Sequence, residues 1–174
     1  MRISPRLRIG YTLLMAYTLL VPPAGAILTP ASPRPPAITR PTARCFAAAS
    51  RAFHLPPLVL PALWSNERGA AGEIVPDPNG TADYGPMQIN SLWLPLLRPL
   101  GITPARLADD GCLNVWVAGA ILSRERTRAD GNLWRAIGWY HSRTPALADA
   151  YRRRLLAHLR AALRHLTPDL RGAP

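Results

Sequence analysis

Between residues 69 and 85 the chain carries four glycines and two prolines in 17 positions. No regular helix tolerates that density. Proline removes a backbone donor, and glycine raises the entropic cost of ordering. The flanks read the opposite way, with apolar residues recurring at helical spacing on both sides. The chain is therefore helical, interrupted once by a loop or small hairpin over residues 70–85. It has no internal repeat and no convincing series of strands, and the class is all-α.

Local start and stop signals divide the helical part. Thr42 can cap a helix carrying Cys45, Phe46, Ala49 and Phe53 on one side. Pro56 and Pro57 suit the first turn of a second, running through Leu60, Leu63 and Trp64. Gly69 and Gly72 are expected to stop it near Glu67. Asn90 or Ser91 can cap a short helix ending before Gly101, and Thr103-Pro104 starts another brief turn. Asp109 and Asp110 precede a longer apolar helix from about Cys112 to Arg126. Asn132 caps one through Trp134, Ile137 and Tyr140. Thr144-Pro145 begins the last, whose Leu147, Tyr151, Leu155, Leu159 and Leu166 form a core-facing stripe among arginines.

The N-terminus has a different character. Arg2, Arg6 and Arg8 precede an uncharged run from Tyr11 to Val21, which is short for a bilayer. Ala24-Gly25-Ala26 fits a small-residue cleavage site. Residues 1–26 thus read as a secretory signal, with an uncleaved anchor as the alternative. Residues 27–41 hold Pro30, Pro33, Pro35, Pro36 and Pro41 and read as an extended linker. The folded domain spans residues 42–166, and 167–174 form a tail.

Charge and cysteines follow from that placement. The formal net charge is +11, all of its cations are arginines, and loss of the signal would leave +8. Such a surface suits an anionic partner. For a secreted chain that means wall polymer or head groups rather than nucleic acid. Cys45 and Cys112 are the two cysteines. One isolated pair beyond a signal peptide most simply forms a single disulfide. Two cysteines without a histidine pattern make a poor zinc set.

Glu67 is the residue with chemistry. It closes the apolar run Leu63-Trp64, at a helix C-terminus. The negative end of the helix dipole and the apolar neighbours both favour the protonated carboxyl. A glutamate held protonated near neutral pH can act as a general acid.

Glu67, the turn-rich loop, and Gly85-Pro86-Met87-Gln88-Ile89-Asn90 together resemble the goose-lysozyme-like lytic transglycosylases, and within them the small secreted members serving conjugation and secretion systems. Asn79 to Gly85 is similar to the loop before their Met-Gln segment. Trp93, Leu96 and Gly101-Ile102 follow in order. Cys112-x-Asn114 and its apolar helix match their disulfide and core helix, and Ala136-x-x-x-Tyr140 resembles a late cleft motif. The resemblance covers residues 43–143. It implies a lysozyme-like helical domain and cleavage of the β-1,4 bond between N-acetylmuramic acid and N-acetylglucosamine. Glu67 would first protonate the leaving oxygen, then take the C6 hydroxyl proton as a 1,6-anhydro ring closes. The substrate's N-acetyl group replaces a second carboxylate, an exception to the paired-carboxylate rule.

In that reading Gly85 lets backbone approach the sugar, Met87 forms an apolar wall, and Gln88 hydrogen-bonds an N-acetyl or hydroxyl group. Tyr140 donates its hydroxyl to Glu67 or the substrate, and Tyr84 is a sugar platform or a loop anchor. Asn114 is expected to be a buried hydrogen-bonder or a helix cap. No metal or organic cofactor is implied. The expected partners are peptidoglycan glycan strands and components of a secretion, conjugation or pilus machine. The expected state is a monomer in the periplasm, without nucleic acid. The chain departs from the family pattern twice. Arg68 stands where a serine is common, and a cation beside Glu67 would lower its pKa. His141 stands where an asparagine usually follows the tyrosine. A hydrolytic muramidase using Glu73, Asp77 or Asp83 as a second carboxylate stays open, as does a catalytically weak wall-binding assembly factor.

Overall fold

Capping chemistry sets the order of elements. The computed structural model describes residues 37–166. The signal, residues 27–36 of the linker and the tail lie outside them, as does the side chain of Leu166. Thr42 caps α1 (Ala43–Ala52). Helix α2 covers Val59–Glu67. Three short strands follow: β1 (Ile74–Pro76), β2 (Ala82–Tyr84) and β3 (Ile89–Asn90). A 3-10 turn leads into α3 (Leu94–Leu97), and a second 3-10 turn ends at Gly101 in the left-handed conformation. The rest is α4 (Pro104–Asp109), α5 (Gly111–Arg128), α6 (Leu133–His141) and α7 (Pro145–Leu166). Four side chains accept from a backbone N–H in the first helical turn: Asn90, Thr103, Asp110 and Asn132. These are the residue types that satisfy orphan helix donors.

The domain is mostly helical with one small sheet, in agreement with the class expected. The loop or hairpin expected over 70–85 is an antiparallel hairpin extended by a third strand. Tyr84 pairs with Ile74 on one side and Ile89 on the other, and Asp83 pairs with Val75 and Asn90. Asp77 and Thr81 close the turn by a backbone bond of 2.8 Å, with Gly80 at φ 84°.

Helix α5 is buried over much of its circumference, through Asn114, Val115, Val117, Ala118, Ile121 and Leu122. It packs against α1, α4 and α6, while α7 packs against α6 and α2. The disulfide joins Cys45 of α1 to Cys112 at the start of α5, with Cα atoms 5.2 Å apart. Thr39, in the last part of the proline-rich stretch, donates to the Asp109 carbonyl and accepts from Gly111 N–H. The chain entering the domain is thereby fastened to the α4–α5 junction. Among the described residues, no helix is long and apolar enough to cross a membrane.

Three local details differ from expectation. Pro56 and Pro57 precede α2 rather than form its first turn, which instead contains Pro61. The helix stops at Arg68 itself, in the left-handed conformation at φ 58°, with its N–H on the Trp64 carbonyl. On α7 the buried face runs through Ala148, Tyr151 and Leu155, and Leu147 is 51% exposed. Gly138 permits a close approach of α6 to this face: an added Cβ would stand 3.0 Å from the Ala148 side chain.

Candidate active site

Glu67 sits at the last position of α2, above the fully buried Leu63. Its carboxylate accepts a hydrogen bond from the Tyr151 hydroxyl, which α7 brings across the sequence. Burial pushes the Glu67 carboxyl up to about 7. The Tyr151 bond opposes that rise, the Asp83 charge adds to it, and Arg154 opposes it. Desolvation dominates because a carboxylate loses more than a carboxylic acid on leaving water. Arg68 is exposed and is not among the groups acting on Glu67. The left-handed cap accounts for this by breaking the helical path between the two side chains.

The carboxyl opens onto a cleft of ≈ 580 Å³. Asp77, Asp83, Gln88 and Asn90 line it from the sheet region, and Leu92, Trp93 and Leu96 from the segment after β3. Ile121, Glu125 and Arg128 come from α5, and Trp139, Tyr140, His141 and Arg143 from α6 and the turn behind it. A groove of this size with apolar walls and a few convergent polar groups is the usual form of a ligand site.

Gln88 is at φ 49° and donates to the Gly85 carbonyl at 2.9 Å. Gly69 allows this: an added Cβ there would lie 2.6 Å from Gln88 Nε2 and 3.0 Å from the Pro86 carbonyl. Tyr140 donates to the Met87 carbonyl at 2.9 Å rather than to Glu67. Burial raises its own pKa well above the usual phenol value, with Glu67 and Asp83 adding to the rise.

Tyr84, Gly85 and Met87 do not line the cleft. Met87 and Tyr84 belong to the core. Gly85, at φ +67°, approaches α4 and α5: an added Cβ would meet Asn114 Nδ2 at 2.7 Å and the Leu107 carbonyl at 3.0 Å. The close backbone approach expected of Gly85 is therefore made to protein. Asn114, wholly buried, explains why the segment faces inward. Its Oδ1 accepts from Met87 N–H at 2.7 Å, and its Nδ2 donates to the Tyr84 and Leu107 carbonyls, both at 2.8 Å. The expected role of Asn114 as a buried hydrogen-bonder is fulfilled.

The other carboxylates separate cleanly. Glu73 is turned to its own loop, accepting from Ala70 N–H at 2.7 Å, and does not line the cleft. Asp77 and Asp83 both accept from the Asn90 amide, at 3.1 and 2.9 Å, within a braced cluster that includes Thr81. Burial raises the Asp83 pKa, the Asn90 bond opposes the rise, and Asp77 adds to it. His141 stacks on Tyr151 with ring centroids 4.9 Å apart. Burial lowers its pKa, Arg154 acts in the same direction, and Asp83 opposes both. A lowered value favours neutral imidazole near pH 7.

Tyr151 is the site residue that sequence reasoning missed. It reads as one more member of an apolar stripe. The available signal was its hydroxyl, since a fully buried tyrosine needs a hydrogen-bond partner.

Comparison with family models finds no match. Comparison with individual proteins does. The invasion protein IagB of Salmonella typhimurium is 32% identical over 113 residues, covering 64% of this chain and 70% of the relative. Protein IpgF of Shigella flexneri is 33% identical over 103 residues, covering 59% and 67%. A peptidoglycan-binding-like protein of Escherichia coli O157:H7 is 37% identical over 62 residues, covering 34% and 36%.

Proposed function

Because the chain belongs to the family of the invasion protein IagB and protein IpgF, we propose that it is a peptidoglycan lytic transglycosylase with Glu67 as its single acid/base. The observation that carries this reading is the Glu67 carboxyl itself: cleft-facing, raised to about 7, and held by Tyr151. A group with that pKa is protonated often enough to give a proton and basic enough to take one back.

The proposed sequence has two halves. Protonated Glu67 gives its proton to the glycosidic oxygen between N-acetylmuramic acid and N-acetylglucosamine, and the C1–O bond breaks. The substrate's N-acetyl oxygen stabilises the positive centre at C1. Glu67, now a carboxylate, takes the proton from the C6 hydroxyl, whose oxygen bonds C1 and closes the 1,6-anhydro ring. Tyr151 supports the carboxylate half, because its bond favours the charged form. Gln88 and Tyr140 are proposed to shape the substrate side, with the Gly85–Met87 segment holding them in place through the Gly85 and Met87 carbonyls. Met87 and Tyr84 act from the core beneath it. The chain is proposed to act as a periplasmic monomer. Local wall opening for a secretion, conjugation or pilus apparatus is proposed as its role; the Salmonella relative is named an invasion protein.

Mass spectrometry of digested wall decides the chemistry. Anhydro-ended muropeptides are expected, and reducing ends carrying one added water would overturn it. The second reading, a hydrolytic muramidase, rests on Asp83, which lines the same cleft and whose charge acts on Glu67. Loss of all wall cleavage in Glu67→Gln is expected under both readings; undiminished cleavage would remove Glu67 from the reaction.

A further inference from the structure

The cleft contains a second charged cluster that the acid/base chemistry does not use. Glu125 on α5 has a side chain only 4% exposed, yet its carboxylate pairs with Arg143 and lies 3.6 Å from Arg128. Both arginine side chains are 53% exposed, and both line the cleft. Two cations share one carboxylate, so this wall keeps a net positive charge.

The aromatic residues beside it hold arginines in place. The Arg143 guanidinium lies 4.6 Å from the Trp139 ring centroid, and that of Arg124 lies 5.9 Å from Trp93. Both tryptophans line the cleft. A guanidinium stacked on an aromatic face keeps N–H edges free for a planar carboxylate. Glu125 serves as the buried anchor for Arg143, since a buried carboxylate is tolerated only when paired. None of the three arginines is among the groups acting on Glu67, Asp83 or His141.

We infer that Arg143 and Arg128 form a carboxylate-binding subsite for the acidic stem peptides of the glycan strand. The protein thereby acts on strands with free peptide carboxylates in preference to strands whose peptide carboxylates are blocked. This rests on the proposed reading of the cleft as a peptidoglycan site. In a peptide-bearing strand the lactyl carboxyl is tied up as an amide, so the sugars have no fixed charge and give a cationic wall nothing to pair with. The peptides attached through the lactyl group carry free carboxylates, and these do.

The test compares peptide-bearing glycan strands before and after carbodiimide coupling to ammonia converts their peptide carboxylates to amides, because an amidase would free a lactyl carboxylate on every muramic residue. The wild-type full chain is expected to show a kcat/KM preference for the unmodified strands of up to about fivefold per arginine, the upper end for an exposed ion pair. In R128Q/R143Q the ratio between the two substrates falls to near one, through KM. A wild-type ratio of one, or equal losses on both substrates in the variant, would overturn the inference. Should R128Q/R143Q melt early because Glu125 is left unpaired, E125Q/R143Q removes the buried charge and is read by the same ratio. Calorimetric binding of both strand types to Glu67→Gln supplies an arm without chemistry. If the wild type cleaves neither strand, the transglycosylase reading fails. Tighter binding of the unmodified strand then still supports the subsite, and equal binding ends it.

Discussion

Tyr151 reaches Glu67 from a helix 84 residues further along the chain and donates its hydroxyl to the carboxylate. The contact joins the two ends of the domain at its most strongly perturbed carboxyl. It also opposes the main perturbation, because burial raises the Glu67 pKa while this bond favours the anion.

Tyr151→Phe should therefore move the alkaline limb of kcat/KM upward from its wild-type position near pH 7. Loss of an interaction aimed at the carboxylate should also lower kcat, by about tenfold or more for a hydrogen bond to a charged group. KM should change little. A pH–rate profile on purified glycan strands measures all three. An unmoved limb with unchanged kcat would remove Tyr151 from the site.

Glu67 should also make stability depend on pH. Its folded pKa of about 7 lies above the ordinary 4.5. The native state keeps a proton that the unfolded chain releases, so stability falls as pH rises through that window. Glu67→Gln escapes the loss. Urea unfolding should show no gain from the substitution near pH 4, and a gain approaching about 3 kcal/mol by pH 8. A gain independent of pH would contradict the assignment.

Asn114→Ala would leave Met87 N–H and the Tyr84 and Leu107 carbonyls without the partner they share. With each buried orphan costing about 1–3 kcal/mol, the domain should lose about 3 kcal/mol or more. Gly85→Ala should fail in a related way, since its Cβ would collide with the same amide at a backbone angle that disfavours side chains. Thermal melts check both. Retention of the wild-type Tm in either variant would show that the segment is held by other contacts.

Reduction of the Cys45–Cys112 bond opens a connection between residues 67 apart in sequence. In the chain-entropy description that costs about 4 kcal/mol. A Tm that falls on adding reductant, and that is matched by Cys45→Ser with Cys112→Ser, is the expected result. An unchanged Tm would mean that the α1–α5 packing suffices alone.

Local signals made most of the fold legible in advance. Thr42, Thr103, Asp110 and Asn132 mark helix starts because a cap involves residues only two or three positions away. The Gly- and Pro-rich stretch marked the sheet region for the same reason, and Glu67 stood out by its position at a helix end. What was illegible depended on distant partners. Met87 and Tyr84 turn inward because Asn114 takes hold of their backbone from 27 and 30 residues away. Tyr140 gives its hydroxyl to a carbonyl 53 residues upstream. Pattern reading orders the faces of one helix, but it does not say which helix will lie opposite.

The left-handed turn at Arg68 separates sequence adjacency from electrostatic adjacency. Within the chain, residue 68 is the nearest neighbour of the acid; in the folded protein, Asp83 and Arg154 are the charges it senses. Position 68 can therefore contribute to the long-range field that draws a basic protein toward an anionic polymer without retuning the proton chemistry one residue away. Attraction for a polyanion and the strength of the acid can thereby be altered independently.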